Sequence, residues 1–135
     1  MNLPEQPARP QDVVTGFWLW LAALPLMVCA AVIHALVGPG RSVYVHAMTL
    51  TPAFIAAVLA AVFLVLTWLG YRWARTMLVA GGAVSIGYAV LNLFGMFDSP
   101  LQAVSYAVCA IFGSVLIAAG AYLLHLPEAQ LYFSR

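Results

Sequence analysis

The chain has 135 residues, of which 65% are hydrophobic and only 7% charged, and its mean hydropathy is +1.02. So short and apolar a chain has too little polar surface to coat a water-soluble core, and lipid is the solvent its composition implies. The formal net charge of +1 carries no acidic or basic signature, which excludes nucleic acid as an expected partner.

Four apolar runs succeed one another at about 14–37, 49–70, 76–97 and 101–125, each close to the ~20 residues that a helix needs to cross ~30 Å of hydrocarbon. They lack the alternation of barrel strands, and a bilayer admits only helices or closed barrels. The expected fold is therefore all-α, a polytopic four-transmembrane-helix bundle over 14–125, with an N-terminal segment, 1–13, and a tail, 126–135.

The first run is longer than a secretory signal, lacks a clean small-x-small exit and follows Glu5 and Asp12 as well as Arg9, so it should stay attached. In Leu26-Met27-Val28-Cys29, Val28 is too large for a lipoprotein cleavage site. Pro25 removes a backbone donor and should kink or loosen the turn before it. Gly38-Pro39-Gly40-Arg41 ends this helix. The second run repeats Ala53, Ala57 and Ala61 and ends in the break from Gly70 to Arg75; the third repeats Gly81, Ser85 and Ala89 and ends at Asp98-Ser99-Pro100. The fourth repeats Ala110, Ser114 and Ala118 and closes at Pro127. Small residues at such spacing let helices approach where lipid supplies no hydrophobic drive between them, within one bundle or between copies of the chain.

An even number of crossings puts both termini and the central turn on one face. That face holds Arg9, Arg72, Arg75 and Arg135, the other only Arg41, so the positive-inside rule makes both termini cytoplasmic. Trp18, Trp20, Trp68 and Trp73 belong to the same interface, and Tyr132 and Phe133 of the tail repeat the theme. Together Trp18, Trp20, Trp68, Arg72, Trp73, Arg75, Tyr132 and Phe133 form a candidate lipid anchor or cytoplasmic docking surface.

At the opposite end, Ser85, Tyr88 and Asn92 share a face of the third helix. Gln102, Ser105 and Tyr106 begin the fourth, and His34 lies near the end of the first. His34, Tyr88, Asn92, Asp98 and Tyr106 are a candidate ligand pocket open to the outside; the competing reading is interhelical hydrogen bonding, at roughly 0.6–2 kcal/mol per bond. His34, His46 and Asp98 match no metal-site spacing, and His125 lies across the bilayer from the other histidines, so neither metal nor any other cofactor is expected. Cys29 and Cys109 are solitary, with no C-x-x-C pair. No carboxylate occupies a helix centre, as proton-coupled exporters require. No triad, paired carboxylates or phosphate-cradling glycine loop can be assembled, so an enzyme is not expected.

Three segments carry a family likeness: Asp12-Val13-Val14-Thr15-Gly16-Phe17-Trp18-Leu19-Trp20, Gly70-Tyr71-Arg72-Trp73-Ala74-Arg75, and Pro127-Glu128-Ala129-Gln130-Leu131-Tyr132-Phe133. The chain resembles small four-helix integral membrane proteins of actinobacteria, mycobacteria included, which pair a D-V-x-x-x-F-W-L-W entry with a G-R-x-W-A-R hairpin and a P-x-x-x-x-Y-F tail. Tyr71 departs from that pattern, which has arginine there. The resemblance implies the bacterial inner membrane and a supporting role in an envelope or membrane complex, and it brings no catalytic residues. The functional expectation is thus a non-enzymatic accessory or scaffold subunit, with the bilayer and another membrane protein or its own copies as partners. The alternative is a small homo-oligomeric carrier, or a lipid- or small-molecule-binding membrane protein that uses the outer polar cluster.

Overall fold

Backbone amides without water must bond one another, and in continuous apolar runs the helix does this within a single segment. The computed structural model describes residues 8–36, 42–95, 97 and 99–133. It contains α1 (Gln11–Leu36), α2 (Val43–Trp68), α3 (Arg72–Leu93), α4 (Pro100–Leu124) and a short α5 (Pro127–Tyr132). The first four are long and apolar enough to cross a membrane. Their apolar side chains point outward as well as inward: Phe54, Val84, Leu91 and Leu101 are each more than two-thirds exposed. A helix that is apolar all round belongs in lipid or a large protein core.

The boundaries differ from the sequence expectation in informative ways. Helix α2 begins at Val43 rather than near 49, because Ser42 caps it, its hydroxyl accepting from the Val45 amide at 3.4 Å. Helix α3 begins at Arg72, so Arg72-Trp73-Ala74-Arg75 is its first turn rather than part of a loop. The break is confined to Leu69, Gly70 and Tyr71. There the Tyr71 amide donates to the Leu66 carbonyl and the Gly70 amide to the Thr67 carbonyl, which is a Schellman ending with Gly70 at φ +92. Only glycine adopts that conformation without strain.

Helices α1 and α4 form the closest pair. On α4 the buried positions are Tyr106, Ala110, Gly113, Ile117, Gly120 and Leu124, and Val13, Gly16, Trp20, Ala23 and Ala30 face them from α1. Steps alternating between three and four residues are the signature of a knobs-into-holes seam. The four-residue stripe read from the sequence runs off that seam: Ala110 is buried, Ser114 half-buried and Ala118 exposed. Four residues turn a helix by about 400°, so each step drifts ~40° from the contact line. The same drift leaves Gly81 facing open space while its neighbour Gly82 packs inward.

Trp20 is the centre of the bundle, 3% exposed. Its indole lies between Gly82 of α3 and Gly120 of α4, where an added Cβ would stand 2.5 Å from a ring atom on either side. In contrast, α2 buries only Leu64 and Thr67, both near its C-terminal end. It is held at that end and stands off from its neighbours further along.

Candidate functional site

The standing-off of α2 leaves a crevice of about 580 Å³ between α1, α2 and α3, with Tyr106 of α4 at its back. That volume is in the range of small-molecule sites. Its polar groups are His34, Thr49, Ser85, Tyr88 and Tyr106, all within eight residues of the helix ends at Leu36, Val43, Leu93 and Pro100. Toward the middle of the bundle it is lined by Leu24, Met27, Ala56 and Ala60. A second space of about 230 Å³ continues in the same direction as far as Trp20 and Phe63, and Leu24, Met27, Ala56, Ala60 and Ser85 line both.

Three of the crevice hydroxyls have committed their hydrogens to backbone carbonyls, and the fourth, that of Tyr88, keeps its own to donate. Thr49 donates to the Val45 carbonyl at 3.0 Å, Ser85 to the Gly81 carbonyl at 2.9 Å, and Tyr106 to the Ala89 carbonyl at 3.2 Å. The first two bonds lie within a helix, whereas the third ties α4 to α3. Tyr106 also packs against Phe97, the rings tilted by 39° with 5.2 Å between their centroids. The His34 ring stands 6.3 Å from Tyr88 and 6.0 Å from Tyr106.

Of the pocket expected from the sequence, His34, Tyr88 and Tyr106 therefore come together. Asn92 does not line the crevice; its Nδ2 donates to the Tyr88 carbonyl of its own helix at 2.8 Å. An asparagine near a helix end can satisfy its amide locally, and then needs no ligand and no second helix. Asp98 lies outside the described residues. The α2 wall, with Met48, Thr49 and Pro52, escaped the sequence reading. Its one available signal was Pro52, which leaves the Met48 carbonyl without its helical partner beside a threonine. Among the described residues no group of three His, Cys, Asp or Glu is placed to hold a metal. Cys29 and Cys109 are free thiols.

The opposite end answers what the arginines do. Arg75 is 6% exposed; its Nη1 donates to the Leu124 carbonyl at 3.0 Å, and its guanidinium lies 4.8 Å from the Phe133 ring centre. Leu124 ends α4, so Arg75 places a cation on the negative end of that helix and bonds one of its orphan carbonyls. Arg9 sits 4.1 Å over the Trp68 ring and donates from Nε to the Tyr132 hydroxyl at 3.1 Å. That hydroxyl donates in turn to the Trp68 carbonyl at 2.7 Å, at the last residue of α2. The tail, folded as α5, thus closes the ends of two long helices.

The anchor or docking surface expected from the sequence divides accordingly. Trp18, Arg72 and Trp73 are exposed. Trp20, Arg75 and Phe133 are buried in the protein and unavailable to a partner, and Trp68 and Tyr132 are half-buried under Arg9. The sequence placed all four tryptophans together as interfacial, but Trp20 faces the other helices because two glycines make room for it. Among the described residues no carboxylate forms an ion pair with Arg9, Arg72 or Arg75. No protein-family model, curated protein or solved structure matches the chain.

Proposed function

We propose that this is a multi-pass membrane protein that holds a small hydrophobic or amphiphilic molecule in the crevice between α1, α2 and α3. The observation that carries this reading is the 580 Å³ space whose lining passes from polar at the His34 end to apolar at Leu24 and Ala60. With the arginine-rich end cytoplasmic by the positive-inside rule, the crevice occupies the outer half of the bilayer, and the resemblance to actinobacterial proteins favours a bacterial inner membrane. Extraction in a lipid-preserving polymer followed by mass spectrometry tests the reading. A retained molecule at constant stoichiometry, lost in Ala57→Phe without loss of the folded protein, supports it; identical retention in the two proteins refutes it.

A second reading, an accessory or scaffold subunit bound to another membrane protein or to its own copies, is favoured by Trp18, Arg72 and Trp73. These stay exposed after the tail has covered their neighbours, Trp18 at 60% and Trp73 at 53%. The same extraction tests it. A second protein recovered with the wild type and absent from Arg72→Ala/Trp73→Ala establishes a partner at this surface.

A further inference from the structure

We infer that the molecule held in the crevice is a single-chain amphiphile with an uncharged, hydroxyl-bearing head, the head lying among Thr49, Tyr88 and Tyr106 and the chain running past Ala60 to Trp20. This rests on the reading of the crevice as a binding site. Three features of the lining select this class.

The first is charge. Among the described residues no Arg, Lys, Asp or Glu lines either space. An ionised head brought here would lose its hydration with no permanent counter-charge, the titratable His34 ring being the one side chain of the described lining able to carry a positive charge, and such a transfer is unfavourable. The second is hydrogen-bond polarity. Thr49, Ser85 and Tyr106 have already donated their hydroxyl hydrogens to backbone carbonyls, so what they offer inward is oxygen lone pairs. A head that donates, as an alcohol does, suits those oxygens and can accept in turn from the Tyr88 hydroxyl; a carboxylate or phosphate, which only accepts when ionised, finds the Tyr88 donor but leaves the other three oxygens without a hydrogen.

The third is shape. Leu24 to His34 spans about 15 Å along α1, and 580 Å³ spread over that height gives a mean section of roughly 40 Å². That is narrow and tall: it admits one hydrocarbon chain with room for its bends, and two only if both lie fully extended side by side. The second space extends the path to Trp20, about 21 Å from His34 along the helix axis, past the middle of a ~30 Å hydrocarbon layer. Entry is lateral, because α2 buries only Leu64 and Thr67 at its far end, and its alanines at 53, 56, 57 and 60 present little bulk to the passage.

The test uses Trp20 as the reporter. In a Trp18→Phe/Trp68→Phe/Trp73→Phe background it is the remaining tryptophan, and at 3% exposure it is shielded from bulk lipid. A monoacylglycerol brominated at the end of its chain is titrated into the protein in nanodiscs. Saturable quenching of Trp20 at one probe per chain is expected, abolished by Ala60→Phe, which closes the passage between the two spaces. The fatty acid of the same brominated chain, titrated at about pH 9 so that its carboxyl is ionised even at the bilayer surface, is expected to quench at least about tenfold more weakly. Equal quenching by the fatty-acid anion or by a brominated diacyl lipid overturns the inference about the ligand class and leaves the crevice as a binding site. Absence of Ala60→Phe-sensitive quenching from every probe overturns both. Should the triple variant fail to fold, the wild type and Ala60→Phe are loaded with equimolar monoacylglycerol and fatty acid and the retained species weighed by native mass spectrometry; retention of the anion in preference overturns the inference.

Discussion

Replacing Gly120 or Gly82 by alanine tests whether Trp20 organises the bundle. At Gly120 the new Cβ would stand 2.5 Å from Trp20 Cδ1, 2.8 Å from Nε1 and 3.2 Å from the Gly16 carbonyl oxygen; at Gly82 it would stand 2.5 Å from Cη2 and 2.8 Å from Ile117 Cγ2. An indole is rigid, and it cannot retreat from one glycine without approaching the other. Each substitution should therefore force α3 or α4 outward, at about 1–3 kcal/mol, the usual range for overpacking. This cost arises from contact geometry rather than from transfer out of water, so it applies in lipid. Gly81→Ala and Gly87→Ala are the controls, because nothing lies within 4 Å of their Cβ positions, and alanine should raise helix stability there by up to about 1 kcal/mol. Thermal unfolding in detergent, read by helical circular dichroism, measures all four. A cycle with Trp20→Phe isolates the pair: the smaller ring should recover most of the Gly120→Ala loss, giving a coupling of about 1 kcal/mol or more. If Gly81→Ala is as harmful as Gly82→Ala, or Trp20→Phe recovers nothing, the placement of the indole between the glycines is wrong.

Arg75→Leu removes the bond to the Leu124 carbonyl and the contact with Phe133; a loss of about 2–4 kcal/mol is expected, with the tail after Leu126 becoming sensitive to protease. Tyr132→Phe deletes the hydroxyl that links Arg9 to the Trp68 carbonyl and should cost about 1 kcal/mol, with Arg9→Ala adding less in that background than in the wild type because the two share one network. Asn92→Ala should change stability by less than about 1 kcal/mol and leave retention of the crevice ligand as it is, since the amide bonds only its own helix; lost retention, measured by the same extraction and mass spectrometry, would return Asn92 to the site.

Four long helices followed from composition and run length, because the cost of unbonded amides in lipid leaves an apolar run of that size one conformation. The helix ends were less legible. Whether Arg72 ends a loop or begins a helix depends on the Schellman closure at Gly70 and on Arg75 reaching Leu124, the latter across 49 positions of sequence. The candidate pocket shows the same division. His34, Tyr88 and Tyr106 were found because polar residues are rare in such helices and their depth can be counted along each run, whereas Asn92 looked identical by that count and turned out to bond its own backbone.

The sequence by itself determined that the chain is helical and suited to lipid, how many long helices it forms, and which ends share a side, since these depend on single-segment hydropathy and on charge counts. Only the tertiary structure decided which faces meet. Lipid wets every face of an apolar helix equally, so hydropathy has no amphipathic signal with which to mark the interface, and the choice falls to steric fit: Trp20 between Gly82 and Gly120, and the three-four seam of α1 with α4. The crevice follows from the same cause, because α2 meets its neighbours closely only around Leu64 and Thr67, and a gap between helices is a property of their arrangement that no one segment contains.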